Sequence, residues 1–392
     1  MMPFKKGRDY ASGALCLRDR TLFPDLSFPP MSFHLWSPGF SGFGGGITAF
    51  SRELARALRE EGVSLRLLGK ADGDGEWDGL SLIGGAGSTL RFAAKGIAMA
   101  ATARPDLLIS THLNFGPAVR WAARIGRCPY SLVAHGIDVH PGLSQARFKA
   151  LREANQLVAV SRWTKQRLLD LGGIPEEKIH ILPNTYDDEC FHVAADPQDL
   201  RERYRLLPDE KVILTVARLE AGEGYKGYDR VLQALPAVRN MCGPVRYVIA
   251  GKGGDRQRLE AMAAQLGVAE AVTFAGFVPN EEIGDHYRLA DVFAMPSTGE
   301  GFGIVFLEAM GCGTPVLGGN QDGSVDALDQ GRLGYLVDPT SVVAIADGLI
   351  SLIRRQGPEL WFDGEGLSAQ VRMIYGRKAF RQRVSKLFKL FC

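Results

Sequence analysis

The sequence predicts an α/β protein of two parallel-sheet domains facing each other across a cleft, and three observations carry that expectation. The 392 residues exceed what one ordinary core holds and suit roughly two to three domains, two being the simpler count. From Met31 onward short apolar runs alternate with helical stretches, the pattern of a parallel sheet covered by helices on both faces. The alternation pauses in an acidic, proline-bounded stretch at 183–197 and begins again at Val212, which puts a linker between two units of like build.

Element by element, residues 1–30, ending Phe28-Pro29-Pro30, lack periodicity and read as an irregular extension, with Met31 as the natural start. The first domain, 31–190, has expected strands at 32–36, 64–68, 107–110, 130–134 and 157–160, and helices over 48–61, 90–103, 117–125, 147–153 and 162–171. The second, 191–370, has strands at 212–217, 246–250, 272–274, 292–294 and 315–317, and helices over 228–239, 256–266, 283–289 and after Gly303. The remainder, 371–392, carries a basic amphipathic helix over 375–391 whose Phe380, Val384, Leu387, Phe388 and Leu390 have no core of their own. That helix crosses back over the other domain or lies on a surface.

Composition narrows the function classes. With 46% hydrophobic and 23% charged residues the chain is of ordinary globular make-up. Its 46 basic against 44 acidic residues leave +2, which argues against nucleic acid as a partner. Cys16, Cys128, Cys190, Cys242, Cys312 and Cys392 form no CxxC pair, so neither zinc nor a disulfide framework is indicated, and reduced thiols in a cytoplasmic protein are the plain reading. No apolar run nears the ~20 residues that span a bilayer. Lys5, Lys6 and Arg8 precede no apolar signal-peptide core.

Two segments of the second domain carry chemistry. The run Val212-Ile213-Leu214-Thr215-Val216-Ala217 delivers Arg218 at a strand's carboxyl end, and Lys226-Gly227 then opens a helix. Two cations over a helix N-terminus suit a diphosphate, since backbone N–H groups, the helix dipole and the guanidinium favour the same anion. The stretch 296–311 puts Glu300 in a loop with Gly299, Gly301 and Gly303, and Glu308 within the following helix, whose first amides (Gly303, Ile304, Val305) make a second anion-binding mouth. Taken singly, Arg218 and Lys226 read as surface charges and the glycine-rich loop as a strand-to-helix turn.

Taken together and in order, these residues resemble the retaining glycosyltransferases of family four. The resemblance rests on the Glu300 and Glu308 pair with seven residues between them, Pro296-Ser297 before it, and Ala309 and Pro315-Val316 after it. It also rests on Arg218 with Lys226-Gly227-Tyr228-Asp229, Ile249-Ala250-Gly251-Lys252-Gly253, Phe274-Ala275-Gly276-Phe277-Val278 and Ala290-Asp291-Val292. Less specific matches are Gly44-Gly45-Gly46-Ile47, His135-Gly136-Ile137-Asp138, Val160-Ser161 and Pro183-Asn184, so that it covers nearly everything after Met31. The chain departs from the family's pattern in a longer turn between Arg218 and Lys226, and in Thr185-Tyr186 after Pro183-Asn184.

The resemblance implies the GT-B fold, two Rossmann-like domains with a donor cleft between them, and transfer of a hexose with retention from a UDP- or GDP-sugar to a glycan or lipid-linked saccharide, as in surface or exopolysaccharide synthesis. It implies that Arg218 and Lys226 bind the diphosphate and stabilise the charge growing on the leaving nucleotide, with no metal or other cofactor. Glu300 would hold the sugar hydroxyls, with the amides of Phe302 and Gly303 nearby, and Glu308 the ribose. Gly251, Gly253 and Val278 would border base and ribose, Ile304 would lend its amide, His135 would face the anomeric region, and Gly45 and Gly46 would bring amides to phosphate or acceptor.

Other readings stay open at this point. A phosphorylase or nucleotide-sugar epimerase shares the fold, and a non-catalytic sugar-binding module would dispense with the cations. Asp72-Gly73-Asp74 sits in turn-like sequence and is expected to be a solvated loop, with no metal site. The Gly42 to Gly46 cluster lacks a P-loop ending and GxGxxG spacing. The basic apolar stretches 90–104 and 378–390 allow peripheral contact with anionic lipid at the inner face of a membrane, a core or domain-crossing helix being the ordinary alternative.

Overall fold

The computed structural model describes residues 31–42 and 44–388. The expected extension at 1–30, the Met31 start that depends on it, Cys16, Cys392 and Leu390 lie outside the described residues, as does the side chain of Phe388.

Among the described residues the first sheet has eight strands: β1 (Ser32–Ser37), β2 (Ser64–Gly69), β3 (Gly75–Trp77), β4 (Leu80–Gly84), β5 (Leu107–Ser110), β6 (Tyr130–Ala134), β7 (Gln156–Ala159) and β8 (Ile179–Ile181). Their order is β3-β4-β2-β1-β5-β6-β7-β8. The second sheet has six: β9 (Lys211–Val216), β10 (Val245–Ala250), β11 (Val272–Gly276), β12 (Val292–Met295), β13 (Val316–Gly319) and β14 (Tyr335–Val337), ordered β11-β10-β9-β12-β13-β14. Only β3 runs antiparallel to its neighbour; the other pairings are parallel. The central strands β6 and β12 are buried along their whole length, as expected of parallel sheets covered on both faces.

Several elements exceed the periodicity-based expectation because they are too short to show a period. The β3–β4 hairpin closes on Asp78-Gly79, both with positive φ (50° and 73°), the two-residue turn whose twist matches a hairpin. The strand β8 has three residues, and β14 sits at the edge of its sheet. The loop around Asp72 is not the solvated turn expected. Asp72 is buried, and its carboxylate accepts the amides of Phe40 and Ser41 at 2.8 and 2.9 Å, pinning the segment that leads to Gly44–Gly46. Asp74 does stay at the surface, paired with Lys95.

The C-terminal helix crosses back. Helices Gly364–Tyr375 and Arg377–Phe388 part at Gly376, and the second packs on helix Gly46–Glu60 of the first domain. Phe380 and Val384 are 1% and 2% exposed, and the Phe380 ring meets Phe50 edge-on at 5.7 Å. Arg377 pairs with Glu53 and Asp187, and Arg381 with Glu60. Thr185, one of the family departures, donates its hydroxyl to the Tyr375 carbonyl at 2.7 Å, while Tyr375 stacks edge-on against Phe302 of the glycine-rich loop at 5.6 Å. Within the described residues, Phe380 and Val384 of this face are buried in the core and Leu387 packs against it, the domain-crossing reading of 378–390. Phe380→Ala is expected to cost about 3–5 kcal/mol, the usual loss for a buried phenylalanine. A thermal or urea melt that does not move would contradict the docking of this helix.

Candidate active site

The carboxyl ends of the two sheets face each other, and the site residues gather where they meet. Ala217 and Leu219 donate their amides to the carbonyls of Ala250 and Lys252 at 3.0 and 2.8 Å, so the segment carrying Arg218 lies flat on the turn after β10. A Cβ on Gly251 or Gly253 would fall 1.7 Å from the Ala217 carbonyl oxygen or 1.9 Å from that of Leu219. The two glycines thus hold Arg218 in place through backbone contact. Val278 is half-buried in the loop after β11 and packs against the core.

The turn Ala221–Lys226 is stitched to the glycine-rich loop: Thr298 donates its amide to the Tyr225 carbonyl at 2.9 Å, and Gly227, at φ 78°, leaves no room for a side chain beside the Pro296 carbonyl. Lys226 and Arg218 both pair with Glu223, Lys226 at 2.7 Å. Glu300 lies close enough for its carboxyl to respond to them: burial raises it to about 7, Lys226 and Arg218 pull it down, and Asp322 and Glu223 push it up. Helix Ile304–Gly311 begins at Gly303, at φ 89°, with no side chain capping it. Phe302 is 1% exposed, with its ring edge-on to Tyr375.

Across the cleft, helix Gly46–Glu60 starts at Gly45, again uncapped and with no acid in its first turn. The Ile304 Cδ1 atom lies 3.4 Å from where a Gly46 Cβ would stand. Two uncapped helix N-termini, one from each domain, therefore converge near Glu300, whose carboxyl Lys226 and Arg218 also reach electrostatically.

His135 follows β6. Its Nε2–H donates to the Thr111 carbonyl at 3.0 Å, its ring meets Phe50 edge-on at 5.2 Å, and its amide donates to Asp138 Oδ1 at 2.8 Å. Burial, with His112 adding to it, lowers the imidazole to about 3, so the ring is neutral at physiological pH. What His135 turns toward Gly301 is its carbonyl: a Cβ on Gly301 would fall 1.8 Å from that oxygen.

Three supports have roles that the sequence does not give, Asp138 among them although its motif is part of the resemblance. Asp322, buried, accepts from the Ser297 hydroxyl and the Glu300 amide, each at 2.7 Å, and from the Ser324 amide at 2.9 Å, fixing the loop that carries Glu300. Tyr287 donates to Glu308 Oε2 at 2.7 Å. Asp138, pushed up to about 6 by burial, holds the His135 turn. The Asp322-Gly323-Ser324 turn after β13 was a readable signal, whereas nothing in spacing links Tyr287 to Glu308.

Glu308 gives a pH prediction. Burial raises its carboxyl from 4.5 to about 7, with Asp187 adding to it and the Tyr287 hydrogen bond opposing. A carboxyl that holds its proton more tightly when folded stabilises the fold fully below its ordinary value, and that stability is lost as pH rises through its folded value. The ligand-free protein is expected to lose stability between about pH 5 and about pH 7.5, and Glu308→Gln to lose less over the same window. Urea midpoints that fall equally for both would contradict it.

Two family profiles match, "Glycosyltransferase Family 4" over residues 44–189 and "Glycosyl transferases group 1" over 196–361. A GDP-mannose-dependent alpha-(1-6)-phosphatidylinositol monomannoside mannosyltransferase of Mycolicibacterium smegmatis is 35% identical over 252 residues, 61% of this chain and 63% of that relative. The matched region thus spans just under two thirds of that relative's length. The crystal structure of Anabaena HepE in complex with UDP and glucose superposes with TM-score 0.74 at 19% identity, over 92% of this chain and 99% of that one. Sucrose-phosphate synthase from Thermosynechococcus elongatus gives 0.78 at 20% identity, over 92% and 98%. With its two parallel-sheet domains in the GT-B arrangement, the chain belongs to glycosyltransferase family four.

Proposed function

We propose that the protein is a retaining hexosyltransferase that moves mannose, glucose or a similar sugar from a UDP- or GDP-sugar to a glycan or lipid-linked saccharide, in surface or exopolysaccharide synthesis. The observation that carries this reading is the convergence of Arg218, Lys226 and two uncapped helix N-termini beside Glu300. Such a set of fixed positive charge suits a departing diphosphate and does the work a metal ion would otherwise do. The mannosyltransferase relative and the UDP- and glucose-bound structure named above support a nucleotide-sugar donor.

In this reading the bond between the sugar's anomeric carbon and the diphosphate breaks with its electron pair going to the phosphate oxygen. The acceptor hydroxyl oxygen bonds to the same carbon, and its proton passes to the departing diphosphate oxygen. The oxocarbenium-like sugar is stabilised by Glu300, the His135 carbonyl and the departing diphosphate, in charge development like glycoside hydrolysis. The His135 ring, neutral and with Nε2 committed to Thr111, orients the turn. Glu308 grips the ribose, and the amides of Gly45, Gly46, Phe302, Gly303 and Ile304 serve phosphate and sugar. No covalent nucleophile takes part.

Thermal-shift screening against UDP- and GDP-sugars tests the donor, since a ligand at a hundred times its dissociation constant stabilises by ~2.7 kcal/mol. Arg218→Ala or Lys226→Ala is expected to lower turnover about a hundredfold or more. Near-normal rates in both would overturn the site assignment.

No helix among the described residues is long and apolar enough to cross a membrane. The paired helices Thr89–Ala103 and Gly116–Gly126 expose Leu90, Trp121 and Ile125 alongside Arg91, Arg124 and Arg127, which supports a cytoplasmic protein in peripheral contact with anionic lipid, as a lipid-linked acceptor would require. Pelleting with anionic vesicles is expected at low salt and should weaken as salt rises. No binding at low salt would sink the membrane reading.

A further inference from the structure

The two cations of the clamp already share an anion. Glu223, in the turn Ala221–Lys226, pairs through Oε1 with Arg218 Nη2 and through Oε2 with Lys226 Nζ at 2.7 Å. Its side chain and that of Lys226 are 14% and 13% exposed, whereas that of Arg218 is 73% exposed. The carboxylate thus lies at the inner mouth, with the arginine folded onto it from solvent. Further inward stand Glu300 and Asp322, both with carboxyls raised by burial. A diphosphate between the same cations would add negative charge beside Glu223, and like charges at close range repel. The turn has room to yield: Glu223 interrupts its helical geometry, and a Cβ on either flanking glycine, Gly222 or Gly224, would meet nothing within 4 Å.

We propose that Glu223 is an internal counter-anion of the diphosphate clamp. It holds Arg218 and Lys226 together in the empty site, gives way to the donor's diphosphate, and returns to compete with the nucleoside diphosphate product. This rests on the reading that Arg218 and Lys226 bind the diphosphate. Its consequence separates it from a merely structural role in the turn. If Glu223 only shaped the turn, removing its charge would loosen the clamp and weaken binding. As a competitor, removing its charge tightens binding of donor and product together, so that donor KM and the product inhibition constant fall while kcat does not rise.

The test is titration calorimetry of the full chain with UDP and with GDP, repeated on Glu223→Gln, Glu223→Asp, Arg218→Ala, Lys226→Ala and, as a control for net charge beside the same turn, Glu220→Gln. Glu223→Gln is expected to bind whichever nucleoside diphosphate the parent binds about three- to tenfold more tightly, the range of a partly screened ion pair. Glu223→Asp and Glu220→Gln should stay within about twofold of the parent, a shift too small to reflect a lost ion pair. Should Glu223→Gln melt below the assay temperature, Glu223→Ser removes the same charge and is read in its place. Unchanged or weaker binding on loss of the charge, with Arg218→Ala weakened as the clamp requires, overturns this inference and leaves the clamp standing. Binding at parental strength by Arg218→Ala and by Lys226→Ala overturns the clamp itself and this inference with it.

Discussion

The structure depends on one backbone-to-backbone contact between its domains. Gly301, in the loop after β12, lies against the His135 carbonyl at the end of β6, and a Cβ on Gly136, at φ 84°, would come within 2.8 Å of the Gly301 Cα. No side chain fits between these two turns. The approach is what brings helix Ile304–Gly311 opposite helix Gly46–Glu60, and it sets Glu300 beside the first domain instead of across open water. Thr164 adds its hydroxyl to the Gly301 carbonyl, and Arg162 its amide to Asp326 at 2.6 Å. Relative domain motion is the default unless the contact between domains is large and apolar. The C-terminal helices therefore matter to it: by burying Phe380 against Phe50 and Tyr375 against Phe302 they tie each side of the contact to apolar packing.

The same closeness governs the electrostatics. Glu300, Glu308 and Asp322 are all removed from water, and burial raises each carboxyl. Near neutral pH Glu300 and Glu308 thus carry less negative charge than their formula. His135 follows the same logic with the opposite sign, since burial keeps its ring uncharged. A site assembled this way favours an anion without relying on titration of an imidazole.

Much of this was legible in the sequence, for identifiable reasons. The strands from β5 to β7 and from β9 to β13 are mainly apolar runs of four to six residues between helical stretches, so the alternation stands out. The candidate set Arg218, Lys226, Glu300 and Glu308 comes from the ordered resemblance to a family, since each taken singly looks like a surface charge or part of a strand-to-helix turn. Of the supports, only the Asp322-Gly323-Ser324 turn leaves a local signal, and none shows its partner. Asp322 reaches Glu300 across 22 residues, Thr111 meets His135 across 24, and Tyr287 meets Glu308 across 21. Each pair is made by a parallel crossover or by helix packing, and spacing along the chain says nothing of them. Asp72 was misjudged for the complementary reason: its neighbours have turn composition, but its carboxylate serves amides 31 and 32 residues away. The amphipathic face of the last helix was plain, yet its partner, Phe50, lies more than three hundred residues earlier in the chain.

The glycines show how far local signals reach. Gly251 and Gly253 invite a reading in which the backbone opens itself to a ligand, because that is what a glycine beside a strand end often does. In the folded chain their missing side chains make room for the carbonyls of Ala217 and Leu219, the residues on either side of Arg218. Replacing either by alanine would push the arginine off its seat before it touched any nucleotide. A residue type can thus be right for a site and still act through another residue. For Gly251 and Gly253 the residue that depends on them is Arg218, held over the turn they permit.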